Sequence, residues 1–334
     1  MIRAGVVGFG KMGLLHAGIL NSLQGCKVVA VAEKEKLLNR LVSKFIPDVD
    51  FCTDVTEMIE KHDLDCIYVT TPISTHAPII RDIVSARDDI ALFVEKPLAT
   101  NYPEAKQLVD MVSRLGINSM VGFQKRFSPG FVRAKSLLEQ GVIGRPISFD
   151  AYYYYSSTFR SAKGWRQKEG EGGVLLDLGP HLLDLLVWYF GKPLALTGHA
   201  WPVRSIGVDD VASGSLQFES GLAGKFEISW CVEGYRLPEM GVLIEGTNGR
   251  LRVTDDYLKL SLNTAIFGMP AGDHLFRKPD LYSGVDFLIG EPEYCIEDKH
   301  FLNSLLKAKS PEPDFRAGMI VNNLIDGFIR RHPL

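Results

Sequence analysis

The stretch AGVVGFGKMG, residues 4–13, decides how the rest of the chain is read. It opens on small apolar residues, as a strand covered on both faces does. Glycines then fall at positions 8, 10 and 13, and KMGLLHAGILNSL returns apolar residues at helical spacing. In such a strand-to-helix turn each glycine has a task. Gly8 permits the tight turn, Gly10 leaves the backbone open to close approach, and Gly13 lets helix and strand pack tightly. The helix start presents unpaired N–H groups and the positive end of its dipole, a setting that suits an anion.

Working outward, the alternation continues. KVVAVAE, LDCIYVTTP, IALFVEKP and INSMVGFQ read as strands, while KEKLLNRLVSKF, APIIRDIVSA and YPEAKQLVDMVSRLG read as helices. The strands are continuous apolar runs, so the expected fold of residues 1–122 is a doubly wound parallel sheet, a Rossmann domain. Glu33 ends the second strand, the position whose carboxylate binds ribose hydroxyls in dinucleotide folds. Gly8, Phe9, Gly10, Lys11, Met12, Gly13 and Glu33 are therefore read as a dinucleotide site. Glu33 repels a 2′-phosphate and favours NAD, while Lys34 and Lys36 beside it keep NADP open. A structural turn with a surface glutamate is the plainer reading, and the surrounding pattern disfavours it.

Ligands of open α/β sheets bind beyond the carboxyl ends of the strands. Thr71, Pro72 and His76 follow one such end, and Glu95 and Lys96, before Pro97, another. These residues are expected to line the nicotinamide end of the site. From periodicity alone Lys96 could equally be a solvated loop lysine and His76 a helix-start residue.

Residues 123–334 change character. RPISFDAYYYYSS, LALTGHAWPVRS, VASGSLQFES, LAGKFEISWCVE, MGVLIEGTNG and RLRVTDDYLKLSL are strands parted by turn signals, and helices close the chain. The expectation is a mainly antiparallel open-sheet α+β domain that takes the substrate. Tyrosines at 152–155 put aromatics on both faces of one strand, where a sheet with one covered face would alternate. Residues 267–294 match no pattern and are read as a specificity loop.

The apolar stretch GGVLLDLGPHLLDLLVWYFG, residues 172–191, carries Asp177, His181 and Asp184. Buried charges cost several kcal/mol (roughly, for unpaired groups) and need a reason. At about 100° per residue a continuous helix would gather the three within about 60°. Pro180 suits a first turn better than a helix interior, and a start with Asp177 as N-cap is equally open. The polar stripe is read as an active-site wall. The plainer reading is a capping aspartate with a satisfied core histidine.

Composition narrows the classes. A formal charge of −3 argues against nucleic acid and anionic membranes, and no stretch has the roughly 20 uncharged apolar residues of a membrane span. Five dispersed cysteines lack metal-ligand spacing, so neither a metal nor a catalytic thiol is expected. With no secretory pattern at the N-terminus, the expected location is cytoplasmic.

The motifs GFGKMG (8–13), TPISTH (71–76), VEKP (94–97), GFQKRF (122–127) and GGVLLDLGPHLLD (172–184), with the softer EISW (227–230) and IEGTNGRL (244–251), resemble the Gfo/Idh/MocA family over nearly the whole chain. EKP combined with DxGxHxxD is far more specific than the glycines. The resemblance implies a cis Lys96–Pro97 peptide and hydride transfer between NAD(P) and a secondary alcohol or ketone of a sugar, sugar derivative or cyclitol. It gives Lys96, Asp177 and His181 catalytic positions. His181 suits the proton and Lys96 the developing alkoxide, although which of the two makes the direct transfer stays open. Arg126 and the loop around Trp165 and Arg166 are expected to bind the polyhydroxylated substrate. The family habit of associating through the open sheet implies a homo-oligomer, a dimer or tetramer. The rival readings are an NAD-dependent glycoside hydrolase and a non-catalytic NAD(P)-sensing regulator.

Overall fold

The computed structural model describes residues 1–35, 46, 48–156, 172–288 and 290–331. The chain forms two compact units, Met1–Phe123 with Val285–Asn322, and Gln124–Gly284 with Asn323–Leu334.

The first unit carries a six-stranded sheet. Its strands are β1 (Ile2–Val7), β2 (Cys26–Ala32), β3 (Asp50–Cys52), β4 (Cys66–Val69), β5 (Ala91–Glu95) and β6 (Ser119–Gly122), in spatial order 3-2-1-4-5-6. Every pairing is parallel. β4, β5 and β6 are buried at every residue, which is why their sequences do not alternate. The order reverses between β1 and β4, and the crevice beyond such a switch point is where nucleotides bind. β3 and the helix Val55–Lys61 escaped the sequence reading. Three residues are too few for periodicity to register. The helix expected over KEKLLNRLVSKF falls, beyond its first two residues, on residues outside those described.

The sequence reading placed everything after residue 122 in one domain, whereas Val285–Asn322 packs with the first unit. Its contacts give the reason. Asp298, on the helix Pro292–Leu306, meets His16 on the helix Lys11–Ser22. The Val121 N–H donates to the Pro313 carbonyl at 2.9 Å, and the Asn322 side chain donates to the Ala99 carbonyl at 2.7 Å. Gly318 fits closely against Leu98 and Val121. These partners lie about two hundred or more residues apart, beyond the reach of any local pattern.

The second unit carries an eight-stranded sheet. Its strands are β7 (Pro146–Tyr154), β8 (Pro193–Trp201), β9 (Val211–Phe218), β10 (Ala223–Ser229), β11 (Glu239–Gly246), β12 (Gly249–Thr254), β13 (Tyr257–Leu262) and β14 (Gly272–Arg277), in order 14-13-12-11-7-10-9-8. β7 and β10 run parallel; the remaining neighbours are antiparallel. RLRVTDDYLKLSL, read as one strand, is a hairpin that turns at Asp255-Asp256. The segment read as a specificity loop supplies the edge strand β14. The helix Gly179–Phe190 covers one sheet face, with Phe190 stacked on Phe149 at 5.1 Å. Tyr153 points to that side and is buried, while Tyr152 and Tyr154 stack on each other at 4.8 Å on the opposite face. The run of tyrosines thus serves both faces.

Candidate active site

In the first unit the glycine turn has the shape its spacing implies. Gly8 sits at φ +86°, and a Cβ there would lie 2.6 Å from the Thr71 methyl. At Gly13 a Cβ would lie 2.0 Å from the Gly8 carbonyl oxygen. Only glycine allows this strand-to-helix approach. Around Gly10, by contrast, nothing lies within 4 Å of that position. The Gly10 flank is open, as close approach of a pyrophosphate requires, so the turn fits a dinucleotide. Lys11 and Met12 begin the helix, the lysine exposed and the methionine half-buried. Glu33 accepts from the Phe9 N–H at 2.7 Å and the Glu35 N–H at 3.0 Å, which brings the carboxylate to the glycine turn.

The loops after β4 and β5 meet at His76. This buried ring bridges two backbone carbonyls, with Nε2 2.9 Å from the Thr71 oxygen and Nδ1 3.0 Å from the Pro97 oxygen. Burial pushes it below the ordinary histidine range. His76, expected to touch the cofactor, lies between the two loops that carry Thr71 and Lys96, and its neutral ring has one N–H to donate to one of the two carbonyls. Thr75 donates to the Thr71 hydroxyl at 2.7 Å, Pro72 is exposed, and the Lys96–Pro97 peptide is cis. Lys96 is half-buried. Glu95 is buried and accepts from the Lys96 N–H at 3.1 Å.

In the second unit the DxGxHxxD stretch follows neither start considered above. A short helix, Val174–Asp177, ends at Leu178 (φ −96°, ψ −29°), and the helix Gly179–Phe190 begins anew with Pro180 in its first turn. The break follows from proline's missing N–H. Asp177, His181 and Asp184 are all buried. His181 lies edge-on to Tyr153, with ring centroids 6.0 Å apart.

Two anchors for this stretch were not visible in the sequence. Asp209 accepts from the Leu175 N–H at 2.8 Å through its side chain, and from the Val174 N–H at 2.9 Å through its carbonyl. Gly173, at φ +101°, fits against it; a Cβ there would lie 2.3 Å from Asp209 Oδ1. The second anchor is Arg126, expected to contact substrate. Its guanidinium is engaged bidentately by Asp184, at 2.7 and 2.6 Å, and sits 5.8 Å from the Trp188 ring centroid. The third acidic or basic member of the expected polar stripe is therefore an ion-pair partner that orients the helix. Trp165 and Arg166 lie outside the described residues. The only signal for Asp209 was the acidic doublet Asp209-Asp210 before an apolar strand.

Residues 2–123 match the oxidoreductase family with an NAD-binding Rossmann fold, and residues 131–252 match the Gfo/Idh/MocA C-terminal domain. The chain is 30% identical over 319 residues to scyllo-inositol 2-dehydrogenase (NAD(+)) of Bacillus subtilis (strain 168), covering 93% of this chain and 88% of that one. The chain belongs to the Gfo/Idh/MocA family. As a family member it is an NAD-binding oxidoreductase. It is also 28% identical to 2,7-anhydro-N-acetylneuraminate hydratase of Escherichia coli (strain K12), over 94% of this chain and 89% of that one. In fold it is similar to a levoglucosan dehydrogenase solved with NADH and levoglucosan, with a TM-score of 0.87, 22% identity, and coverage of 98% and 96%.

Among the described residues no helix is long and apolar enough to cross a membrane. Cys52 does have ligand-type neighbours, Asp50 and His62, which the cysteine spacing did not reveal. His62 Nε2 meets Asp50 Oδ2 at 3.0 Å, so the pair is satisfied as a hydrogen bond.

Proposed function

We propose that this Gfo/Idh/MocA member oxidises a secondary alcohol of a cyclitol or sugar derivative with NAD. The observation that carries the reading is that one chain holds both an NAD-type glycine turn in its first unit and a buried, doubly anchored DxGxHxxD stretch in its second. The relative named scyllo-inositol 2-dehydrogenase supports the cyclitol class. NAD supplies the hydride acceptor. His181 takes the hydroxyl proton as general base. Asp177 stabilises the imidazolium, and the Lys96 ammonium stabilises the alkoxide that develops. Glu33 binds the adenosine ribose and selects NAD over NADP.

NADH formation from NAD and a panel of cyclitols, aldoses and sugar acids tests this reading. Lys96→Met and His181→Ala are expected to abolish turnover while NAD affinity stays within about twofold, since neither removes a group assigned to the adenosine or pyrophosphate. Turnover retained by Lys96→Met would remove the lysine from the reaction. The relative named a hydratase favours a second reading, a reaction without net oxidation. Product formation with no accumulation of NADH would select it.

The open face of the second unit's sheet, with Tyr152 and Tyr154 half-buried on it, supports self-association into a dimer or tetramer. A monomeric mass by light scattering would contradict this.

A further inference from the structure

We infer that His16, held by Asp298, is a positioning residue for Lys96: it fixes the Glu95 carboxylate, which in turn holds the Lys96 backbone N–H. The inference rests on the proposed role of Lys96. His16 is fully buried, and each of its ring nitrogens faces a carboxylate. Nδ1 lies 2.9 Å from both oxygens of Asp298, and Nε2 lies 3.1 Å from Glu95 Oε1. The other Glu95 oxygen accepts from the Lys96 N–H at 3.1 Å. The line from the helix Pro292–Leu306 to the lysine is thus continuous.

Ionised carboxylates only accept, so both His16 contacts are hydrogen bonds only if both ring nitrogens carry protons. Burial opposes that charge, but Asp298 first and Glu95 after it outweigh burial, and the ring's pKa lies well above the ordinary histidine value. The surroundings fit a held imidazolium. From the helix Pro292–Leu306 come Asp298, Glu297 and Glu293; from β5 comes Glu95; from β4 come Tyr68 and Cys66; from β2 comes Cys26. Burial favours the neutral forms of Glu297, Tyr68, Cys66 and Cys26, and it raises the Asp298 carboxyl too, a rise that the facing His16 opposes. An apolar trio would fill this core without the desolvation cost of three charges. What the charged trio adds is a fixed direction for Glu95.

The test uses the full-length protein. Nitrogen-resolved NMR at about pH 8 is expected to show protons on both ring nitrogens of His16, and a neutral tautomer would overturn the inference. His16→Phe keeps an aromatic ring in the core but removes the donor to Glu95. The Lys96 amide should then exchange with deuterium about tenfold faster at about pH 8. Turnover should fall about tenfold, with KM and NAD affinity within about twofold. Both losses should persist at about pH 6, since the variant has no ring nitrogen to protonate. A folded His16→Phe with unchanged Lys96 exchange overturns the inference; if the variant does not fold, the native NMR measurement decides. Altered exchange in a protein that binds NAD yet oxidises no alcohol would sink the dehydrogenase reading and leave the relay standing.

Discussion

Arg126 closes on Asp184 through both carboxylate oxygens, Nε to Oδ2 at 2.7 Å and Nη2 to Oδ1 at 2.6 Å. The pair ties the turn Gln124–Phe127 to the helix that carries His181. Two residues that the sequence placed near the substrate are thereby committed to each other.

Arg126→Met should cost about 3–5 kcal/mol, because it leaves Asp184 buried without its counter-charge. Burial already raises the Asp184 carboxyl above its ordinary range, and Arg126 opposes that rise. Without the arginine the folded protein holds a proton that the unfolded chain releases, from the ordinary carboxylate range up to the raised value. Folded-state proton uptake in that window means that stability falls as pH rises through it. The deficit should therefore be larger at about pH 8 than at about pH 5 in urea unfolding. Equal deficits would show that Asp184 does not titrate in that window.

Gly173→Ala should destabilise the second unit by about 1–3 kcal/mol, from the positive φ and the approach to Asp209. Asp209→Asn, which keeps an acceptor for the Leu175 N–H, should cost less than Asp209→Leu. Thermal unfolding of the three variants checks the order. If Asp209→Asn and Asp209→Leu melt alike, the hydrogen bond is not what anchors the short helix.

Gly10 and Gly13 should part company on substitution. Gly10→Ala meets open space, so the melting temperature should hold within about 2 °C while NAD affinity drops about tenfold or more. Gly13→Ala drives a methyl group into the Gly8 carbonyl and should destabilise the unit before any ligand is added. Calorimetry with and without NAD separates the two.

Glu33→Ala should weaken NAD by about tenfold, the worth of a charged hydrogen bond, and narrow the gap between NAD and NADP. Its carboxylate already holds the Phe9 N–H, so some of the loss would come from a looser turn. An unchanged ratio of the two affinities would dismiss Glu33 as the selector.

Much of the site was legible because its signals are local. The glycine spacing, Glu33 at a strand end and the continuous apolar strands each express a constraint between neighbours in sequence. The cis bond at Lys96–Pro97 came from the resemblance to the Gfo/Idh/MocA family, and the structure has it. His76 and Arg126 were read as ligand contacts from residue type and position alone. Only the fold reveals the backbone carbonyls that His76 faces and the carboxylate that Arg126 pairs with. His16 gave no signal: a histidine on an amphipathic helix says nothing of an aspartate 282 residues away.

By itself the sequence determined the parallel sheet, the glycine turn and the motif residues, because burial on both faces and backbone sterics act over a few residues. Only the tertiary structure decided which charges are paired and which helix completes the first unit. Asp298 with His16, Asp184 with Arg126 and Asp209 with the Leu175 N–H are joined by folding alone, since burying a polar group requires a partner wherever along the chain it lies.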